Sequence, residues 1–493
     1  REEAVAVLTG EFGWFAESAL RRRGGLRILV SVSTVEATRL KPHPLAGMAP
    51  PPAKPLSLWK QARAGKGNPF ESIPLAAYEE AIYAPKSAPG RYVMVHDPEG
   101  VRRVMVENVA NYPKNRMERK FFTAMFGEGL LSSEGELWRR HRKIMAPAFD
   151  PRSVAGYAPA MADAAQAFVA RWDRPGSGAE VDIAAEMQAI TVDIICRTMF
   201  SSDAEELIGL AGPALRAAQA SLEFGVLDFL PVIGPMRLRA KQNAVHGIFA
   251  RLDATIHRMI AAREKNLADS PRDLLTRLME ARDEEGKGLS ASEVRDEVIT
   301  IFMAGHETTA VAMTFVWYLL SQHPAEEAKL HAELDAVLGG RAPAGEDVAR
   351  LPYTRMVIEE AMRMYPPAPA VSMRTAVKDD EICGMKVKAG TQVLITSWVL
   401  HRHRKLWEEP ERFDPERFSP ERSAGRSRFA YMPFGAGPRV CIGAAFAMQE
   451  AVLILATLAQ RYRAVLVEGQ DIQLQSRITL RPKGGIRMRV ERR

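Results

Sequence analysis

Apolar residues along the chain recur mostly at helical spacing, and the longest such stretch, Val298 to Leu320, is apolar on most of its faces. Ser290-Ala291-Ser292-Glu293 reads as a capping box and His323-Pro324 as a stop, so the spacing predicts a helix of roughly 46 Å at ~1.5 Å per residue. A helix of that length and character passes through the middle of a protein. Residues 155–290 carry the same period, broken near Leu230-Pro231-Val232-Ile233-Gly234-Pro235. Further helices are predicted from Asp97-Pro98 through about Asn108, from Gly135 onward, over Thr354 to Met364, and from Ala444 to roughly Gln460. Alternation marks short strands at Arg91 to Val95, Met385 to Lys388, Thr391 to Ser397, Ile472 to Leu480 and Gly485 to Val490. Residues 113–137 show no clear period but carry Phe121, Phe122, Met125 and Phe126, which suits either core or a lid. The fold class expected is mainly α with a small β region near the N-terminal third and the C-terminus.

The first forty residues read as a helix (Glu3 to Arg22) and an extended run (Ile28 to Val35), and no function attaches to them. Pro42, Pro44, Pro50, Pro51, Pro52 and Pro55 then form a stiff connector. The division expected is an extension with a proline-rich hinge over 1–49, followed by one catalytic domain over 50–493.

Composition narrows the classes. The 493 residues, 47% hydrophobic and 26% charged, are ordinary for a globular protein large enough to enclose a cofactor and a substrate. Three distant cysteines, Cys196, Cys383 and Cys441, argue against a disulfide framework and for a reducing compartment. The net charge of +7 is spread along the chain without a basic tail or a recognisable module, which excludes nucleic acid as a partner and favours an acidic protein. The basic run Arg21-Arg22-Arg23 precedes an apolar stretch that Arg27 breaks, so it is a poor signal peptide. His306, Glu307, Thr308 and Thr309 sit at the centre of the long apolar stretch, where lipid would penalise them; a buried helix is the better reading.

The chemistry concentrates in Phe434-Gly435-Ala436-Gly437-Pro438-Arg439-Val440-Cys441-Ile442-Gly443, a glycine-rich loop that places one cysteine where a helix begins. A helix N-terminus favours thiolate at Cys441, and Arg439 adds a donor for an anionic group. In the central helix, Ala304-Gly305-His306-Glu307-Thr308-Thr309 is the second constellation. Gly305 costs about 1 kcal/mol there relative to Ala. The Thr308 hydroxyl can bond back to the Ala304 carbonyl and bend or open the helix against a planar ligand. Each constellation alone also has a plainer reading, a buried structural cysteine and a helix-packing contact. Trp138 and Arg142 share a helix face, Glu360 and Arg363 lie on an amphipathic helix, and Arg374 is the first charge after an apolar run.

Together these features resemble the cytochrome P-450 family. The loop matches its haem-binding pattern Phe-x-x-Gly-x-Arg-x-Cys-x-Gly at every fixed position, and the helix motif matches its Ala/Gly-Gly-x-Asp/Glu-Thr-Thr. The likeness spans about Pro50 to Val490. It implies the P-450 fold, with the long central helix over a haem b whose iron takes Cys441 as axial ligand. Phe434, Gly435, Arg439, Gly443, Ala304 and Gly305 would contact the cofactor. Trp138, Arg142, Arg374 and Arg439 would anchor its propionates. Glu360 and Arg363, joined by Arg417 of Pro415-Glu416-Arg417-Phe418, would brace the loop. Thr308 would orient dioxygen and water while Glu307 relays protons. Phe121, Phe122, Phe126, Leu222, Phe224, Phe302, Ala368 and Val371 are candidates for an apolar substrate pocket.

The reaction implied is insertion of one oxygen atom from dioxygen into an apolar organic compound such as a fatty acid, terpenoid or steroid. No flavin or iron–sulfur segment follows the last helix and strands, so the expected electron donor is a separate ferredoxin or flavodoxin-type protein. A soluble, cytoplasmic monomer of bacterial type is expected. Two other classes stay open: a haem-thiolate isomerase or peroxygenase that needs no oxygen activation, and a non-enzymatic haem sensor or carrier.

Overall fold

The computed structural model describes residues 50–56, 67–85, 92–173, 180–201, 233–370, 372–476 and 478–493. The expected extension over 1–49, Leu222, Phe224 and Val371 lie outside the described residues. All of the described residues belong to the unit that begins at Pro44.

Helices dominate. They are α1 (Pro98–Arg102), α2 (Arg116–Phe126), α3 (Gly135–Met145), α4 (Pro151–Trp172), α5 (Ile183–Phe200), α6 (Ile233–Lys265), α7 (Leu274–Glu280), α8 (Ala291–Gln322), α9 (Pro324–Leu338), α10 (Pro352–Met364) and α11 (Ala444–Ala459). Four small sheets flank them. The largest takes β1 (Ile82–Tyr83), β2 (Tyr92–Val95), β4 (Ser372–Thr375) and β7 (Gln392–Ile395) in the order β1-β2-β7-β4, with only the β2–β7 pair parallel. A hairpin joins β5 (Asp380–Ile382) to β6 (Met385–Val387). An antiparallel sheet joins β3 (Glu180–Asp182), β8 (Tyr462–Leu466) and β11 (Arg487–Arg492), and a ribbon joins β9 (Leu474–Ser476) to β10 (Leu480–Pro482).

The central helix α8 forms where the spacing predicts it, 32 residues long. The Ser290 hydroxyl accepts from the Glu293 amide and the Glu293 carboxylate accepts from the Ser290 amide, closing both halves of the capping box. Length and composition alone would let α8 cross a membrane, but 83% of its most apolar window is buried inside the protein, so it is a core helix. It packs along α5, while α11 packs along α4. Near its end Phe315 stacks on Tyr365 with ring centroids 4.1 Å apart.

Three local expectations change. Residues 116–126, for which no helix is predicted, form α2: Asn115 accepts from the Met117 and Glu118 amides to start it, and Phe121, Phe122, Met125 and Phe126 recur at helical spacing along it. The helix from Asp97 is α only to Arg102 and continues as a π turn to Glu107. β1, β3, β4, β5 and β8 are strands the pattern did not mark; all but β8 are too short to show a clear alternation, and the run expected as one strand over Ile472 to Leu480 divides into the β9–β10 ribbon.

Candidate active site

A single cavity of about 370 Å³ collects most of the candidate residues, a size within the roughly 300–1,000 Å³ of small-molecule and cofactor sites. From α8 come Ala304, Gly305, Thr308 and Thr309, and from the cysteine loop Phe434, Gly435, Arg439, Cys441 and Gly443. Trp138 and Arg142 enter from α3, Arg374 from β4, and Ala368 from the segment after α10. Although α8 is core on most faces, Ala304 is open, and the surface it offers is cavity wall. The Thr308 hydroxyl donates to the Ala304 carbonyl at 2.9 Å, the back-bond that sequence reading suggested. Gly305 backs onto Ile195, whose Cδ1 would stand 3.3 Å from an added Cβ.

The cysteine loop is tightly turned. Gly435 and Gly437 hold φ of +73° and +70°, and a Cβ at Gly437 would lie 1.9 Å from the Met105 carbonyl oxygen, so only glycine fits there. The Cys441 amide donates to the Phe434 carbonyl at 2.9 Å, which points the thiol into the cavity. Its open surface is cavity surface; densely packed atoms around it push the thiol pKa up, and the Gly443 amide and Arg142 only partly offset this. The helix N-terminus alone therefore does not make a thiolate here, because burial outweighs it. A metal cation at the sulfur would.

Behind the loop lies a closed ionic brace. Arg363 and Glu360 are both fully buried and paired through two bonds of 2.6 and 2.8 Å. Arg363 also donates to the carbonyls of His401 (2.9 Å) and Pro410 (2.8 Å), and Arg417 Nε lies 3.4 Å from Glu360. His401 in turn accepts from the Met432 amide at 2.9 Å, two residues before Phe434, which ties the brace to the loop. The pairing of Glu360, Arg363 and Arg417 is the one that the family resemblance implies; the His401 link was not expected.

Two residues that sequence reading passed over complete the wall. Lys114 is buried beside Arg439 and Arg374, donates its amine to the Leu131 carbonyl, and is held down to about 7 by burial and then by Arg439. Glu450 faces the cavity from α11, fully enclosed, and burial pushes its carboxyl up to about 8 despite a bond to Thr309. An acid within so apolar a helix was the available signal for Glu450. Glu307 is buried next to Thr308, but its carboxylate accepts from the Thr479 hydroxyl at 2.9 Å and is not part of the cavity wall. Phe302 is enclosed between Phe200 and His306, and Phe121, Phe122 and Phe126 cluster along α2; none of these four is among the residues lining the cavity.

The residues present fit a flat, dianionic cofactor with its own metal. Lys114, Arg374 and Arg439 gather at one part of a mostly apolar cavity, and the buried Arg374 Nε has no partner. Among the described residues no group of three or more His, Cys, Asp or Glu could hold an ion by itself, and Cys441 contributes the one thiol on the cavity wall.

A long core helix and a cysteine loop that share one apolar, cation-edged cavity define a haem-thiolate protein. The chain belongs to the cytochrome P-450 family, whose model, "Cytochrome P450", matches residues 49–488. It is 36% identical to a cyclooctat-9-en-7-ol 5-monooxygenase of Streptomyces melanosporofaciens over 78% of this chain and 82% of the relative. Pentalenene oxygenase of Streptomyces avermitilis is 32% identical over 85% and 92% of the two chains. The crystal structure of the cytochrome P450DA haem domain superposes with a TM-score of 0.74 at 27% identity, covering 84% of this chain and 90% of that one. The protein is a haem-dependent monooxygenase, an oxidoreductase that uses dioxygen, an organic substrate and electrons from a redox partner.

Proposed function

We propose that this enzyme hydroxylates or epoxidises an apolar, hydrocarbon-rich substrate, with haem b held by Cys441 and electrons from a ferredoxin or flavodoxin-type protein. The observation that carries the reading is the shared cavity of Cys441 with Ala304, Gly305 and Thr308. The names of the two Streptomyces relatives, each an oxygenase of an unsaturated hydrocarbon skeleton, favour a terpenoid over a fatty acid or a steroid. When bound, the haem supplies the oxygen chemistry, and the protein supplies ligand, pocket and protons.

The chain's own residues divide that work. Arg374, Arg439 and Lys114, with Trp138 and Arg142, bind the propionates through charge-assisted bonds. Apolar side chains around Ala368 exclude water and hold the substrate. The Thr308 hydroxyl releases the Ala304 carbonyl to donate into the cavity, and Glu307 passes it protons by turning its carboxyl from Thr479. Residues 1–49 are an extension and hinge outside the catalytic domain of 50–493, and the enzyme works as a cytoplasmic monomer.

Turnover tests the reading. Purified holoenzyme with a ferredoxin, its reductase and NAD(P)H should oxygenate members of a panel of cyclic terpenes, with product formation dependent on dioxygen. Turnover with hydrogen peroxide alone, and none with dioxygen plus reductant, would move the enzyme to the peroxygenase class.

A further inference from the structure

The segment 127–133, between α2 and α3, is irregular, yet it places Leu130 and Leu131 on the cavity wall. It lies directly on α8. A Cβ on Gly127 would stand 2.2 Å from the Asp296 carboxylate, and one on Gly129 2.2 Å from the Thr300 hydroxyl. Its amides reach the helix's acids: Glu128 N–H donates to Asp296 at 2.7 Å and Leu130 N–H to Glu297 at 3.1 Å. From the other side, the Lys114 amine and Arg439 donate to the carbonyls of Leu131 and Ser133.

Glu297 is fully buried, and its other oxygen meets His141 Nδ1 of α3 at 2.7 Å. His141 Nε2 lies 3.1 Å from Glu293. An imidazole with a carboxylate on each nitrogen satisfies both only when both nitrogens carry protons. We propose that His141 and Glu297 are positioning residues: a buried ion pair that fixes the 127–133 wall, and so the shape presented to substrate, through the Leu130 amide.

The charged groups around the pair frame it, although burial pushes the Glu297 carboxyl itself up and the bonds from His141 and the Leu130 amide offset this only in part, so the pair rests on its geometry. On α3, Arg140 bonds Glu293 and Asp283. On α8, Asp296 takes Arg295, which also pairs with Asp253 of α6. Against burial, bonds from Ser290 and His141 hold Glu293 at about 2. Burial alone would lower His141, but the bonds to Glu297 and Glu293 outweigh it and raise its pKa. A raised histidine contributes fully below the ordinary imidazole range, and its contribution is lost as pH rises through the raised value. The wall therefore loosens in alkali, not in acid.

Hydrogen exchange on the haem-loaded protein tests this without reference to substrate or turnover, so its outcome is independent of the proposed reaction. Glu297→Gln, nearly the same shape, should exchange about tenfold faster over 127–134 than the wild type, with α11 unchanged. Normalised for intrinsic chemistry, the wild type should lose the same local protection as pH rises above the ordinary imidazole range, and His141→Phe should show no such pH dependence. Unchanged protection of 127–134 in both Glu297→Gln and Glu297→Ala overturns the proposal. So does faster exchange spread equally into α11, which would make the pair a general stabiliser. If His141→Phe does not fold, Glu297→Gln and the wild-type pH series decide.

Discussion

The loop that presents Cys441 and the 127–133 loop both leave regular structure to wall the same cavity, and both are held from behind by buried charge. Their braces differ. Behind the cysteine loop, Arg363 is permanently cationic, and every direction of its guanidinium is taken by Glu360 or a carbonyl. Behind the other loop the proposed cation is His141, held between Glu297 and Glu293, and an imidazole, unlike a guanidinium, can lose its charge as pH rises. The cysteine loop is held by a charge that stays fixed, while the 127–133 loop, in the role proposed for it, rests on a group that can be switched.

The largest expected effect comes from cutting the first brace. Arg363→Ala leaves the Glu360 carboxylate buried without its main partner, at a cost of about 3–5 kcal/mol, and should abolish haem incorporation. Thermal denaturation and the haem-to-protein absorbance ratio check this; a haem-loaded variant of wild-type stability would dissolve the contrast between the loops. Next is Arg439, which sits on the cysteine loop and donates to Ser133 of the other. Arg439→Ala should cost roughly 1.5–3 kcal/mol and speed haem transfer to apomyoglobin, coupling both loops to one loss. Lys114→Met removes one of three gathered cations and should accelerate haem transfer less than Arg374→Ala does, since Arg374 has an unpartnered buried nitrogen waiting for a ligand. An equal effect would place the two cations on a par. Thr308→Ala belongs to neither brace: stability should barely change while peroxide released per electron consumed rises severalfold. Unchanged coupling in an oxygen-electrode assay would remove Thr308 from the proton path.

The two loops also differ in how far the sequence reveals them. The cysteine loop is a local pattern, with Phe434, Gly435, Arg439, Cys441 and Gly443 spaced by the turn itself, so it can be read in one stretch. Glu360 and Arg363 lie one helical turn apart, but other pairs such as Glu136 and Arg139 share that spacing, so it is the helix they sit on and the family resemblance that single them out. The 127–133 wall is assembled from α2, α3, α6 and α8, and no periodicity links His141 to Glu297 or Lys114 to Arg374. α2, by contrast, is legible, since Asn115 is a cap residue and Phe121, Phe122, Met125 and Phe126 follow at helical spacing; it is short, and its apolar half also reads as core or lid. Glu307 and Thr308 are adjacent in the chain, yet Thr308 meets the cavity while Glu307 meets Thr479, a divergence that the motif alone does not show and that the proposed relay bridges by a turn of the Glu307 carboxyl.

The central claim, that Cys441 is the axial thiolate of a haem in this cavity, is tested most directly by the carbon monoxide difference spectrum of the reduced protein. The wild type should give the red-shifted band of a thiolate-ligated haem, and Cys441→Ser, with its helical circular dichroism intact, should lose it. The same band persisting in Cys441→Ser would contradict the account.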